Sequence, residues 1–297
     1  MIIGHQKQLA QLMELAKQGR LSHGYIFFGE PSIGKRACAE TLARYFETLA
    51  TPPPLLRGEG KGGVHARPLS DAHVIAPDPE TQIIGIDAIR EMRNFLAQKP
   101  NVSRYRTLII DDAHTLTGEA APALLKITEE PPSSALIILI APDHEMLLPT
   151  IQSRLEKFYF SPVEEKEIAQ WLLKDCGASK EDASRAASRA FGAPGVAWKL
   201  LNDQRFKKLH SDAKKFFALH GKERRDFIKE LTAQDDDIPP EDAFHFDRFL
   251  EALIREAMPL SARNTPFFRA CLKLREQANY FNLNPRLQLT ALAESSG

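Results

Sequence analysis

Cysteine is scarce in this sequence, and its three cysteines, Cys38, Cys176 and Cys271, lie far apart. An odd number of widely spaced thiols is typical of a reducing cytosol, and no pair or quartet has the spacing of a zinc site. Basic and acidic residues balance at 39 each. The chain therefore lacks the strongly basic footprint of many nucleic-acid-binding proteins, although a local patch is not excluded.

Long apolar runs are also missing. No run approaches the roughly 18 residues that a membrane span needs, and the first residues, MIIGHQKQLAQL, do not have the layout of a signal peptide. We therefore expect a cytoplasmic protein with no membrane contact. The 297 residues, 43% of them apolar and 26% charged, are enough for two or three domains, each with its own core.

One stretch carries the clearest signal. An apolar run, Tyr25–Phe28, predicts a buried strand, and a helical pattern follows over Arg36–Phe46. Between them lies a glycine loop that runs from Gly29 through Gly34 to Lys35. Strand, glycine loop and helix is the setting of a phosphate-binding P-loop, in which backbone N–H groups and a lysine face one anion. The alternative is a tight strand-to-helix turn with a solvated lysine.

The residue after the lysine does not suit a metal-dependent P-loop. A serine or threonine hydroxyl normally holds Mg²⁺ at that position, but this chain has Arg36. Arginine has only hydrogen-bond donors and cannot ligate a cation. The loop is thus shaped for phosphate but poorly equipped for metal-assisted hydrolysis.

Two further apolar runs, Thr107–Asp112 and Leu136–Ala141, predict buried strands of a parallel sheet covered by helices. Right-handed crossovers would place Gly29, Asp111 and Pro142 along one edge. Asp111 stands where a strand-end aspartate would hold Mg²⁺ through water, and Asp112 stands where hydrolysing motors usually have glutamate. The alternative for this pair is a turn capped by carboxylates.

Ser153 and Arg154 follow the last of these strands by one helical excursion, predicted over Asp143–Gln152. An arginine at the end of a short helix can project into a neighbouring subunit and stabilise charge on a γ-phosphate there. The alternative is a surface arginine in a local ion pair. From Glu164 onward the pattern is helical, interrupted by an acidic loop at Asp235–Pro240.

Read together, these motifs resemble the AAA+ clamp-loader family of bacterial DNA polymerase III, most of all its delta-prime class. The resemblance covers nearly the whole chain. The segments that carry it are Ile3–Gln6 (IGHQ), Arg20–Lys35, Leu108–His114, Ala123–Pro132 (ALLKITEEPP), Thr150–Arg154 (TIQSR) and Asn282–Leu289. The ALLKITEEPP segment is the most specific of them.

The resemblance implies a fold and a role. The fold class is α/β, a P-loop AAA+ domain with a parallel sheet over residues 1–161, then a helical lid over 162–202 and an all-α collar over 203–297. The role is that of a subunit of the polymerase III holoenzyme, a nucleotidyltransferase complex. Its implied partners are gamma/tau-type motors, a delta-type subunit and, through the complex, the sliding clamp and primed DNA.

Departures from the family pattern refine that role. Arg36 and Asp112 replace two catalytic groups, Pro142-Asp143 stands at a sensor position, and Gly195 stands where the lid of a motor carries arginine. Arg154 is retained. This pattern predicts a subunit without ATPase activity of its own that lends Arg154, positioned by Ser153, to a neighbour. A hydrolysing gamma/tau-type motor and a DNA-contacting scaffold remain alternatives.

The departures also bear on cofactors. The residues of the degenerate site, Gly29, Gly34, Lys35, Arg36, Asp111 and Asp112, require no cofactor, and could take up ATP, ADP or phosphate only without turnover. Relatives often carry zinc-binding cysteines in the segment that corresponds to Thr51–Ser70, and this chain has none there. His65 and His73 cannot complete a four-ligand site, so we predict no zinc and poor order in that Pro/Gly segment.

Overall fold

The computed structural model describes residues 2–50, 69–233, 244–258, 264–278 and 284–295. The chain divides into two units, residues 1–197 and residues 198–297, each with its own hydrophobic core. Two predictions fall outside the described residues: the poor order of the Pro/Gly segment, which concerns residues 51–68, and the acidic loop at 235–240. The boundaries predicted at 161 and 202 for a lid and a collar remain predictions.

The first unit contains a parallel sheet with the strand order β2-β3-β4-β1-β5. Its strands are β1 (Gly24–Phe28), β2 (Ala72–Ile75), β3 (Arg106–Ile110), β4 (Ala135–Ala141) and β5 (Glu156–Tyr159). Every residue of β3 and β4 is buried, as expected for apolar runs without alternation. The predicted α/β class, a P-loop AAA+ domain followed by a helical region, is confirmed.

Helices cover the sheet and follow it along the chain. Those of the first unit are α1 (Gln6–Lys17), α2 (Lys35–Ala50), α3 (Ile86–Ala97), α4 (Ala120–Glu129), α5 (Pro149–Gln152), α6 (Glu165–Lys174), α7 (Lys180–Arg189) and α8 (Pro194–Asn202), which ends in the second unit. The excursion predicted over Asp143–Gln152 is not one helix. It is a 3₁₀ turn at His144–Met146 followed by α5, because Pro149 begins a new helix at its first position.

The register of the sheet aligns the ends of its central strands. Phe28 at the end of β1 pairs with Ala141 at the end of β4, and Ile110 at the end of β3 pairs with Leu139. Gly29, Asp111 and Pro142 come directly after these ends. The prediction that parallel strands bring these three residues to one edge is therefore confirmed.

The second unit is helical in its described residues. Its helices are α9 (Gln204–Ala218), α10 (Gly221–Leu231), α11 (Phe246–Glu256), α12 (Thr265–Ala278) and α13 (Pro285–Ser295). Aromatic side chains from three of them, Phe216, Phe249 and Phe267, pack together in its core. Helix α11 begins after extended backbone at His245. None of the helices described is long and apolar enough to cross a membrane.

Candidate functional site

The glycine loop after β1 has a backbone that only glycine accommodates at its first position. Gly29 has φ +141°, and a Cβ atom there would lie 2.4 Å from the carbonyl oxygen of Phe160. The Gly29 N–H donates to the Pro142 carbonyl at 3.1 Å, which ties the loop to the end of β4. Gly34 has φ +112°, and a Cβ atom there would make only an ordinary 3.7 Å contact with His5 Cδ2. The sequence therefore predicts the loop correctly at both glycines.

Lys35 is turned inward at the start of α2. The residue is 6% exposed, and its Nζ donates to the carbonyl of Gly29 and, at 2.9 Å, to that of Glu30. Burial lowers the pKa of Lys35 to about 8, against the opposing charges of Asp112, Asp111 and Glu30. The alternative of a solvated lysine is therefore wrong. The ammonium is inside the loop, with donors committed to the carbonyls of the loop itself.

Arg36 covers the strand-end carboxylate. Its Nη1 donates to Asp111 Oδ2 at 3.2 Å, and its Nε donates to Glu40 Oε1 at 2.9 Å. Burial and the neighbouring Asp112 charge raise the pKa of Asp111, while Arg36 lowers it, and the net direction is upward. A guanidinium thus occupies the side of Asp111 that faces α2. This donor set does not fit Mg²⁺, because the cation would meet Arg36 where it needs an oxygen ligand.

Asp112 and His114 lie on the turn after β3. Asp112 has φ +47°, in the left-handed region, and its side chain makes no capping bond to the 3₁₀ turn at Ala113–Thr115. The alternative of carboxylate capping is therefore wrong for Asp112. Burial lowers the pKa of His114, against the charge of Asp112. Asp143, at the predicted sensor position, instead accepts the N–H of Glu145 at 2.9 Å and so caps the next 3₁₀ turn.

Two residues remote in sequence, His5 and Gly195, contact the backbone carbonyls of the glycine loop. His5 is buried, and its Nε2 lies 3.1 Å from the carbonyl oxygen of Ile33. Near the start of α8 the Gly195 N–H donates to the Ser32 carbonyl at 3.0 Å. A Cβ atom at Gly195 would lie 2.9 Å from that same oxygen. An arginine at this position, as in motors, would not fit the packing found here.

Ser153 and Arg154 form a separate group after α5. The Ser153 hydroxyl donates to the Thr150 carbonyl at 3.0 Å. The Arg154 Nη1 donates to the same carbonyl at 2.6 Å, and its Nη2 donates to Glu129 Oε1 at 2.8 Å. The side chain of Arg154 keeps 34% of its surface accessible. Arg154 thus makes a local ion pair and is also open to solvent.

The structure brings the predicted residues together in two groups. Gly29, Lys35, Arg36 and Asp111 meet at the sheet edge, whereas Arg154 and Ser153 lie with α4 and α5. Sequence reasoning assigned no role to Glu129 or to His5, although both fall within quoted motifs. Their partners are 25 and 28 residues away along the chain, so no local spacing identifies them. In the described part of the chain no three His, Cys, Asp or Glu side chains cluster as a metal site would require.

Comparisons with known proteins give one family. The model of the family described as DNA polymerase III, delta subunit, matches residues 4–164. A DNA polymerase III subunit delta' from Escherichia coli is 28% identical over 64% of this chain and 58% of its own length. A subunit gamma/tau from Mycobacterium bovis is 31% identical over 59% of this chain and 30% of its own length. The chain thus spans between 30% and 58% of the length of these relatives.

Among solved structures, a DNA polymerase III gamma subunit-related protein from Thermotoga maritima superposes with a TM-score of 0.59. The match covers 97% of this chain and 98% of that one, at 22% sequence identity. At this identity the likeness concerns the fold alone, and it extends over both units. Because the family match covers more than half of the residues, the chain belongs to the DNA polymerase III delta subunit family, within the AAA+ clamp-loader family that its motifs resemble.

Proposed function

We propose that the chain is the delta-prime-like subunit of a bacterial DNA polymerase III clamp loader. In this role it helps load the sliding clamp onto primed DNA during replication, beside gamma/tau-type motors and a delta-type subunit. It hydrolyses no ATP itself and lends Arg154 to the ATP site of a neighbouring motor. The observation that carries the proposal is the contrast between a covered site of its own and a solvent-accessible Arg154.

The state of the chain's own site supports the absence of turnover. Arg36 pairs with Asp111, the carboxylate that would otherwise help to hold a metal ion. Asp112 is one methylene shorter than the glutamate that orients water in motors, and reactive geometry tolerates little displacement. Gly195 supplies no charge and is hydrogen-bonded to the loop at Ser32. The site then requires no cofactor, and any ATP, ADP or phosphate that enters it leaves unchanged.

The geometry of Arg154 supports action on a neighbour. Its guanidinium has five N–H donors in a planar fork, which suits bidentate contact with phosphate oxygens. Contacts to the Thr150 carbonyl and to Glu129 hold Nη1 and Nη2 while a third of the side chain stays open to solvent. An arginine supplied in trans typically raises phosphoryl-transfer rates by about 10³-fold or more. Ser153 shares the Thr150 carbonyl and so helps to fix the turn that carries Arg154.

The test is Arg154→Ala in a reconstituted loader. Rapid-quench measurement follows ATP hydrolysis with clamp and primed DNA present. The burst of hydrolysed ATP should be smaller by the amount that one motor site contributes, and clamp loading should slow. Arg90→Ala is the control, because it removes another arginine that makes an ion pair in the same unit, with Asp87 on α3, although Arg90 is more exposed than Arg154. Gel filtration should show that both variants still assemble. A burst of unchanged size with Arg154→Ala would refute the role assigned to Arg154.

A hydrolysing motor is the second candidate, favoured by the 31% identity to a subunit named gamma/tau. The purified chain, titrated with a fluorescent ATP analogue with and without Mg²⁺, distinguishes the two. We expect weak or Mg²⁺-independent binding and no phosphate release, because the donor set around Asp111 does not suit the metal. Tight Mg²⁺-dependent binding with turnover would instead establish the chain as a motor.

A further inference from the structure

We infer that Glu129 is a positioning residue for Arg154, holding its guanidinium in the orientation that a neighbouring ATP site requires. The inference rests on the proposed function of Arg154. It also gives a physical task to the ALLKITEEPP segment, which the proposed function leaves unexplained. Glu129 is the last residue of α4 and belongs to that segment.

The guanidinium of Arg154 is hydrogen-bonded to two acceptors, one on α4 and one on α5. Glu129 Oε1 accepts from Nη2 at 2.8 Å, and the Thr150 carbonyl of α5 accepts from Nη1 at 2.6 Å. Two acceptors on two terminal nitrogens fix both the position and the plane of a rigid fork. Further N–H donors of the fork remain for a ligand, because the group has five.

Both supports are themselves anchored. On α4 the residues Leu124, Ile127 and Thr128 are buried, and the central strand β4 begins soon after Pro131-Pro132, at Ala135. Proline has no N–H and cannot continue the helix, which ends at Glu129 with Glu130 as the next residue. On the other side, Ile151 and Leu155 flank the turn and belong to the same hydrophobic core. The backbone that carries the Glu129 carboxylate and the backbone of the turn are therefore both fixed by packing in the core of the first unit.

Local helix physics does not explain an acidic residue at this position. The C-terminal end of a helix carries partial negative charge, so glutamate there is unfavourable and lysine or arginine is favoured. Helix α4 nevertheless ends on Glu129 and is followed by Glu130. Both glutamates are exposed, and Glu129 pairs with Arg154. A locally unfavourable residue with one specific partner is typical of a functional constraint.

A partly exposed ion pair contributes little to stability, so the value of this one lies in geometry. A displacement of a catalytic group by about 1 Å can cost about 10²-fold in rate. We therefore expect Glu129→Ala to lower the ATP hydrolysis rate at the neighbouring site by about 10- to 100-fold. Glu129→Gln keeps an oxygen acceptor without the charge, and should lie between Glu129→Ala and the wild type.

The experiment measures the burst rate of the reconstituted loader over a range of ATP concentrations. The maximal rate should fall while the ATP concentration for half-maximal rate stays within about twofold, because Glu129 acts on the transition state through Arg154. Glu130→Gln is the matched control, since it removes the same charge one residue away. Urea unfolding of each variant shows whether the fold is retained, and Glu129→Gln serves if the alanine variant does not fold.

A double-mutant cycle separates this inference from the proposed function. If Glu129 acts through Arg154, Glu129→Ala should have no further effect once Arg154→Ala is present. If Arg154→Ala alone leaves the burst unchanged, the proposed function fails, and this inference fails with it. If Arg154→Ala lowers the burst while Glu129→Ala matches the wild type, only the positioning role is refuted. A faster burst with Glu129→Ala would also refute it, because Glu129 would then mask Arg154.

Discussion

Lys35 and Arg154, two cations of the first unit, each lie beside carboxylates. They differ in how exposed they are and in how many N–H donors remain for a ligand. Lys35 is 6% exposed and donates to the carbonyls of its own loop. Arg154 keeps 34% of its side-chain surface accessible and uses its terminal nitrogens for Thr150 and Glu129. The first cation completes a local structure, whereas the second has donors to spare.

The difference shows that the shape of a P-loop and the ability to hydrolyse a nucleotide depend on different groups of the fold. The loop keeps its shape because glycine and backbone hydrogen bonds determine that shape without any ligand. Catalysis needs more, namely an oxygen ligand for a metal and a correctly placed carboxylate. In this chain Arg36 occupies the place of the first. A P-loop fold therefore does not by itself imply ATP hydrolysis.

The largest expected effect tests whether the cation at the Arg154 position must be an arginine. Arg154→Lys keeps the charge but replaces a planar fork with a single ammonium. We expect turnover at the served site to fall by about 10³-fold, or ~4 kcal/mol of transition-state stabilisation. The measurement is the rapid-quench burst of the reconstituted loader. A burst within threefold of wild type would mean that charge alone suffices, and the contrast with Lys35 would lose its basis.

A smaller effect concerns the loop glycines. Gly29→Ala combines φ +141° with a Cβ placed 2.4 Å from the Phe160 carbonyl, and should lower the free energy of unfolding by about 3 kcal/mol. Gly34→Ala is the matched control, because its φ is also positive but its Cβ would meet only His5 Cδ2, at an ordinary 3.7 Å, and about 1 kcal/mol is expected. Urea unfolding followed by Trp171 fluorescence, in a Trp198→Phe background, reports on the first unit. Equal losses would mean that contact with Phe160 is unimportant.

The pH dependence of stability examines the burial of Lys35. Its pKa is about 8 in the folded chain, against an ordinary value of 10.5. Between these values the unfolded state binds more protons, so the free energy of unfolding rises with pH across this window. Relative to Lys35→Met, the wild type should gain about 2 kcal/mol between pH 8 and pH 10.

Subtracting the Lys35→Met variant removes the contribution of other groups that titrate in the same range. Burial raises the pKa of Cys38 and of Cys271 to about 12, and these thiols lower stability as the pH rises above their ordinary value of 9.0. Their effect is common to both proteins and cancels in the difference. A difference that stays flat from pH 8 to pH 10 would mean that Lys35 titrates normally and is not enclosed by the loop.

Sequence reasoning reached the sheet and the loop because their signals are local. Unbroken apolar runs mark β3 and β4, and the spacing of Gly29 and Gly34 marks the turn between strand and helix. The parallel arrangement then places Asp111 at the same edge as the loop. Each of these steps needs only neighbouring residues and a general rule of chain topology.

The contacts that decide function join residues remote in sequence, and no local pattern encodes them. Arg36 reaches Asp111 across 75 positions, and Arg154 reaches Glu129 across 25. The sequence contains each partner but not the pairing, because several acidic residues could have met each arginine. The bond from Gly195 to the loop could not be foreseen either, since it depends on how α8 packs.

The smallest expected effect comes from Arg36→Ser, which restores a hydroxyl where a motor has one. The loss of a partly exposed ion pair should change the free energy of unfolding by less than about 1 kcal/mol. The substitution removes the guanidinium that pairs with Asp111 Oδ2 and offers a hydroxyl oxygen in its place, so it repairs only the metal side of the site. Asp112 and the Gly195 contact with Ser32 would remain. We therefore expect no Mg²⁺-dependent phosphate release, measured with the purified variant beside the wild type. If this one substitution produced turnover, Arg36 alone would account for the inactivity of the P-loop site, and the other departures from a motor would be unimportant.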